Sequence, residues 1–205
     1  MTFRGVYAIT DSTLLPGNKL IESVTQALQG GISLLQYRNK AGSPDERLNQ
    51  ARVLRAVCDR YSVPLIINDD IQLCLDSGAK GLHIGQSDTD LHQARSLLGN
   101  QAIIGVTCHG DIGTALKAQL SGADYVAFGR FFPSVTKPTA PVTELSVLRQ
   151  ANEKLSIPIV AIGGINAKNA QLVIDAGADM IAVINYLFED NNVKRRARLL
   201  ADFFT

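Results

Sequence analysis

The stretches SGAKGLHIGQ (77–86), SGADYVAFGR (121–130) and AGADMIAVIN (176–185) are three copies of one pattern, and QGGISLLQYR (29–38) is a looser fourth. In each, a glycine suited to the left-handed position after a helix is followed by an apolar run of strand length. Each copy therefore reads as helix end, turn and strand. Four more strand candidates precede or separate them: VYAIT (6–10), YSVPLIIN (61–68), GNQAIIGVT (99–107) and LSIPIVAIGG (155–164). These runs are continuous and rich in Val, Ile and Leu, as strands covered on both faces of a parallel sheet require.

Amphipathic stretches over roughly 18–29, 44–60, 70–77, 88–98, 110–120, 143–154, 166–175 and 191–204 fill the gaps. Strand and helix thus alternate eight times, which predicts an α/β chain folded as a (βα)8 TIM barrel. At 205 residues the chain is near the lower size limit of that fold, so a single TIM-barrel domain over 1–205 is expected. The alternative is a doubly wound open sheet. Against it, VYAIT is followed by DSTLLPGNK rather than GxGxxG, and the even-numbered strands resemble one another closely.

Twenty Lys and Arg against nineteen Asp and Glu leave a formal charge of +1, so no basic face is implied and a nucleic-acid partner is not expected. Cys58, Cys74 and Cys108 are an odd set without CxxC spacing, which fits reduced thiols better than disulfides or structural zinc. The opening MTFRGVYAITDS lacks a signal-peptide pattern, and no apolar run approaches the roughly 20 residues of a membrane helix. The expectation is a cytoplasmic protein with no membrane association.

A barrel carries its chemistry where strands hand over to helices. After the second run comes Gln36-Tyr37-Arg38-Asn39-Lys40, and period two puts Gln36, Arg38 and, if the strand continues, Lys40 on one face. The third run ends in Asn68-Asp69-Asp70 and the fourth in Gly85-Gln86-Ser87-Asp88. Asp69 and Asp88, on consecutive strands, form a candidate Mg2+ pair, since that ion takes one or two carboxylates and completes its shell with water and phosphate oxygens. Helix N-capping is the competing role, stronger for Asp70 and Asp88 than for Asp69.

Thr107-Cys108-His109 comes after the fifth run. The loop GRFFPSVTKPTAP (129–141) comes after the sixth and groups Ser134, Thr136 and Lys137 as an anion site would. Gly163-Gly164 and Ile184-Asn185 end the last two runs, where barrels commonly bind phosphate. His83, inside an apolar run, reads as a packed or pocket-lining residue. KRRAR (194–198) reads as the solvated face of a terminal helix whose Leu199, Leu200 and Phe203 pack inward.

Taken in order, VYAITD, QYRNK, LIINDD, GLHIGQSD, GVTCH, ADYVAFGRFFPSVTKP, IPIVAIGGIN and GADMIAVI resemble the thiamine-phosphate synthase family over nearly the whole chain. The resemblance implies a transferase of thiamine biosynthesis that joins a pyrimidine diphosphate to a thiazole phosphate, with Mg2+ as cofactor, small molecules as its partners, and a homodimer as the assembly to test. It puts the segment Gln36, Tyr37, Arg38, Asn39 and Lys40 with Asn68 at the pyrimidine diphosphate. It puts Mg2+ on Asp69 and Asp88, and Thr107, a serine in most of the family, beside the pyrimidine.

Ser134, more often threonine in the family, would bind the thiazole phosphate with Val135 and Thr136, and Lys137 would reach the departing pyrophosphate. Gly164 and Ile184 match phosphate-binding positions. Asn185 stands where many members have serine, which leaves its side chain's role open. Lys137, Arg38 and Lys40 are the implied catalytic cations. Two alternatives stand beside this reading: a thiazole tautomerase using a base such as His109, and a non-catalytic thiamine-phosphate sensor.

Overall fold

Every strand runs parallel to its neighbours, and the last pairs with the first. The computed structural model describes residues 3–85, 90–134 and 141–205. Strands β1 (Gly5–Ile9), β2 (Leu34–Tyr37), β3 (Leu65–Asn68), β4 (Gly81–Ile84), β5 (Ile103–His109), β6 (Tyr125–Phe128), β7 (Ile159–Ile162) and β8 (Met180–Val183) bond in chain order. The sheet closes through Gly5↔Met180, Val6↔Ile181, Tyr7↔Ala182 and Ala8↔Val183. The expected TIM barrel is therefore the fold.

The helices between strands are α1 (Lys19–Gln29), α2 (Pro44–Arg60), α3 (Ile71–Ser77), α4 (Leu91–Leu98), α5 (Ile112–Leu120), α6 (Leu145–Lys154) and α7 (Ala170–Asp175). After β8 the chain forms a short helix α8 (Asn185–Phe188), then α9 (Val193–Ala201) and a closing 3-10 turn. The sequence pattern did not signal α8, because its four residues are shorter than any amphipathic period can mark. Ser43, Asp70, Asp90 and Asp111 cap α2 to α5 by accepting backbone N–H bonds. Asp90 thus fills the capping role that the sequence also allowed Asp88, which lies outside the described residues.

Period two along the strands divides the apolar residues into two cores. Tyr7, Ile9, Leu34, Ile66, Tyr125, Val160, Met180 and Ala182 fill the barrel interior. Val6, Ala8, Leu35, Ile67, Leu82, Ile104, Val126, Ala161 and Ile181 face outward onto the helices, whose Ala27, Ala51, Ala94, Ala115 and Ala151 let them lie close. Cys58, Cys74 and Cys108 are buried in this second layer as free thiols pushed up to about 12, chiefly by burial. They are inert packing groups at neutral pH.

The sequence repeat has a physical cause. Gly31, Gly78, Gly122 and Gly177 all sit at positive φ between helix and strand, where a side chain would be strained. Two residues on, Asp124 and Asp179 each tie the turn to the preceding strand. Asp124 accepts from Ile104 N at 2.7 Å and Asp179 from Ile159 N at 2.8 Å. Arg95 adds a 2.6 Å ion pair to Asp124 and donates to the carbonyl of Ala102.

In α9, Val193, Ala197 and Leu200 are buried, and Arg196 lies 4.8 Å over the Tyr186 ring while pairing with Glu189. Leu199, expected inside, is exposed, since it falls one position off that stripe. Among the described residues no helix is long and apolar enough to cross a membrane.

Replacing Asp179 by Ala leaves Ile159 N–H without its acceptor. The expected loss is about 1–2 kcal/mol in urea unfolding, without change in ligand binding at the opposite end of the barrel. A neutral effect would show that the repeat's aspartates do not anchor the turns.

Candidate active site

Because the strands are parallel, all eight C-terminal ends open on one mouth. A cavity of about 550 Å³ lies there. It is lined by residues from every strand end: Ile9, Gln36 and Arg38, Asn68, His83, Thr107 and His109, Gly129 to Ser134 in part, Gly163 to Lys168, and Ile184 to Tyr186.

Gln36 and Arg38 share the cavity face of β2, as period two requires. Gln36 is almost wholly buried, and its amide Nε2 donates to Tyr7 Oη at 2.7 Å. Arg38 is held by its backbone, whose N–H donates to Thr10 Oγ1 at 2.9 Å, and by Asp11, 3.8 Å from its guanidinium. Partial burial pushes the Asp11 carboxyl up. The stronger combined effect of bonds from Thr13 and Leu14 and of the Arg38 charge nonetheless holds it below its ordinary range. Asp11 is therefore ionised at neutral pH and faces the Arg38 guanidinium before any ligand arrives.

Tyr37 and Asn39 alternate to the opposite face: Tyr37 Oη donates to Gln50 Oε1 on α2 at 2.6 Å, and Asn39 donates to the same oxygen at 3.2 Å. Asn39 also accepts from Ala41 N and Gly42 N, so its side chain shapes the turn. Neither lines the cavity. Lys40, largely exposed, stands 3.7 Å from Asp69 at the rim.

At the end of β3, Asn68 faces the cavity and its Nδ2 donates to Asp69 Oδ2 at 2.5 Å. Asp69 has φ 63 and His109 has φ 51, both in the left-handed region that costs a non-glycine residue energy. Such conformations gather where a side chain must be aimed. Asp70 points away, accepting from Leu73 N at 2.9 Å as the cap of α3 and pairing with Arg47 at 3.2 Å.

The β6 loop leans on the turn after β7. Phe131 N donates to Ile162 O at 3.2 Å and Phe132 N to Gly163 O at 3.0 Å, and Phe131 is buried. A Cβ at Gly163 would overlap Arg130, and one at Gly164 would overlap the Pro133 carbonyl. The paired glycines are thus required for the two loops to meet, as well as leaving backbone open to a ligand. Ser134 is next on the cavity wall, with Gly164, Ile184 and Asn185 also on its lining. Val135, Thr136 and Lys137 lie outside the described residues, as does Asp88.

The site also contains residues that the sequence pattern did not single out. The strand-end rule points only to the C-terminal end of each apolar run, whereas Tyr7 and Tyr125 lie within runs and read as core. Period two on VYAIT and YVAF, applied to the barrel interior, places both under the cavity. Thr10 and Asp11, at the end of β1, were legible by the same strand-end rule used for the other strands.

The fold and this strand-end cavity define a TIM-barrel protein with a largely apolar pocket, bounded on one side by a glycine-lined turn and on another by Arg38 and Asn68. The comparisons narrow the class. Residues 6–187 match the family model described as thiamine monophosphate synthase. The chain is 47% identical to the thiamine-phosphate synthase of Nitrosococcus oceani, over 99% of this chain and 94% of that protein. It is 50% identical to that of Marinobacter nauticus over 95% and 88%. Its fold superposes on thiamine phosphate pyrophosphorylase from Pyrococcus furiosus with a TM-score of 0.90, at 32% identity over 99% of this chain and 96% of that one. The chain belongs to the thiamine monophosphate synthase family.

Gly164→Ala places a methyl at φ +64 against the Pro133 carbonyl. The expected cost is about 1–3 kcal/mol in urea unfolding, with weaker binding of inorganic phosphate in the same variant. Unchanged stability would show that the two loops do not depend on this contact.

Proposed function

We propose that the chain is a thiamine-phosphate synthase: it joins the methylene carbon of a hydroxymethylpyrimidine diphosphate to the ring nitrogen of a thiazole phosphate, releasing pyrophosphate. The observation that carries this reading is the convergence of Gln36, Arg38, Asn68, Thr107, Ser134 and Gly164 on one cavity, in a chain about half identical to proteins of that name.

In the proposed order, the bond from the methylene carbon to the diphosphate oxygen breaks first and its electron pair leaves with pyrophosphate. The thiazole nitrogen then supplies its lone pair to the carbocation. No base is needed, because the attacking nitrogen is already neutral. Arg38, fixed by Asp11 and Thr10, and Lys40 meet the charge growing on the leaving group, and fixed cations stabilise such charge without reorganisation. Lys137 would add a third cation from the β6 loop. Ser134, Val135, Thr136, Gly164, Ile184 and Asn185 would hold the phosphate that stays on the thiazole.

The residues at β3 fit Mg2+. Asp69 offers a hard oxygen donor at the rim, and among the described residues no group of three or more His, Cys, Asp or Glu forms a cage. Asp69 with Asp88 would supply the protein ligands, leaving the rest to water and diphosphate oxygens. When bound, Mg2+ supplies charge neutralisation on the diphosphate. Cytoplasmic location, a single catalytic domain over 1–205 and homodimer formation belong to the same proposal.

Purified protein given both substrates and Mg2+ is expected to form thiamine phosphate and pyrophosphate in equal amounts, and folded protein that forms neither would refute the reading. His109 lines the cavity, so thiazole carboxylate phosphate offered alone tests the tautomerase alternative in the same assay; no isomerisation is expected. Asp69→Ala is expected to remove most activity and Mg2+ dependence while the barrel stays folded. Lys137→Ala is expected to slow the chemical step by about 10²- to 10³-fold, the scale of one lost preorganised donor. A Lys137 variant altered only in thiazole phosphate affinity would assign that residue to binding instead.

A further inference from the structure

A chain of hydrogen bonds crosses the floor of the cavity. Gln36 Nε2 donates to Tyr7 Oη at 2.7 Å, and Tyr7 Oη lies 2.7 Å from Tyr125 Oη. Tyr125 Oη is 3.0 Å from His83 Nδ1, and His83 Nε2 is 2.8 Å from Thr107 Oγ1. Gln36, His83 and Thr107 line the cavity together with Tyr7. Tyr125 is fully buried beneath them.

The barrel is built to hold this chain. Strand pairing sets His83 opposite Gly105 and Gly105 opposite Tyr125, so the three share one layer. In that layer side chains come from alternate strands, and the strand between has none: a Cβ at Gly105 would overlap the Tyr125 ring. The His83 and Tyr125 rings stack with centroids 5.6 Å apart and an interplanar angle of 24°, while Tyr7 meets Tyr125 edge-on at 5.8 Å. Burial raises the ionisation of both phenols well above their ordinary value, so each keeps its proton.

Counting those protons gives the chain a direction. Tyr7 oxygen accepts from the Gln36 amide, so its own hydrogen turns to Tyr125. Tyr125 then accepts from Tyr7 and donates to His83 Nδ1. A neutral imidazole that accepts at Nδ1 carries its proton on Nε2 and donates it to Thr107. The Thr107 hydrogen is thereby left to point into the cavity. The opposite polarity would direct the Tyr7 hydrogen at the Gln36 NH2 group, leaving a buried donor without an acceptor unless that amide turned over.

We propose that Tyr7 and Tyr125 are positioning residues that lock His83 as the Nε2–H tautomer and so make Thr107 a hydrogen-bond donor, which selects a substrate presenting an unprotonated ring nitrogen at that point. The assignment of that nitrogen to the pyrimidine rests on the function proposed above. The tautomer does not. A site that hydrogen-bonds one atom discriminates strongly against an analogue lacking it, because its own polar group is left unpaired.

Two-bond 1H–15N correlations on wild-type protein with labelled histidine, near neutral pH, read the tautomer directly, with the His83 signals assigned by their loss in His83→Asn. Nε2–H with unprotonated Nδ1 is expected; Nδ1–H would overturn the inference whether or not the protein is active. In the second arm, calorimetry measures binding of the pyrimidine diphosphate and of two analogues, each with one ring nitrogen replaced by C–H. Wild type is expected to bind one analogue about tenfold more weakly, the loss of one hydrogen bond. Tyr125→Phe, which keeps the ring that fills the layer, is expected to bind that analogue and the parent within about twofold of each other, as a disordered donor no longer distinguishes them. An undiminished tenfold preference in Tyr125→Phe would contradict the positioning role. Absence of thiamine phosphate synthesis beside the expected tautomer would count against the function alone.

Discussion

Pairing between β8 and β1 is the constraint on which the site depends. It removes both sheet edges, and with all strands parallel it brings eight C-terminal ends to one mouth. Residues as far apart in sequence as Gln36 and Gly164 then share a wall, although each local segment knows nothing of the other. The same closure creates an interior where side chains are fully buried, so any polar group there must find a partner inside the barrel. The chain from Gln36 to Thr107 is the result.

Closure also explains the division of labour between the two loop groups. On one side Arg38, Lys40 and Asp69 gather mutually compensating charges whose geometry is fixed by Thr10, Asp11 and Asn68. On the other, Gly163 and Gly164 bring the β6 loop and the β7 turn into backbone contact, with Ser134 next on the wall. Under the proposed function, the first side would meet the polyanionic pyrophosphate and its metal, and the second the single phosphate that stays on the thiazole.

Much of this was legible in the sequence. The glycine repeat located every second strand because positive φ after a helix leaves few residue types to choose from, and apolar runs of strand length located the rest. Period two correctly put Gln36 and Arg38 together; the same rule, applied to Tyr37 and Asn39, would have sent them to the helix layer where Gln50 meets them. Tyr7 and Tyr125 were harder, since a tyrosine in a continuous apolar run looks like packing and its hydroxyl's partner is more than a hundred residues away. Gly163 and Gly164 read as a phosphate turn, and only the loop packed against them shows that they also answer to sterics.

A structure with thiamine phosphate, pyrophosphate and Mg2+ bound decides whether the two sides of the mouth take the two anions as proposed. The pyrimidine ring is expected on His83 and Thr107, the ester phosphate beside Ser134 and Gly164, and pyrophosphate with Mg2+ between Arg38 and Asp69. Products seated elsewhere, or a phosphate and pyrophosphate in exchanged positions, would contradict that assignment.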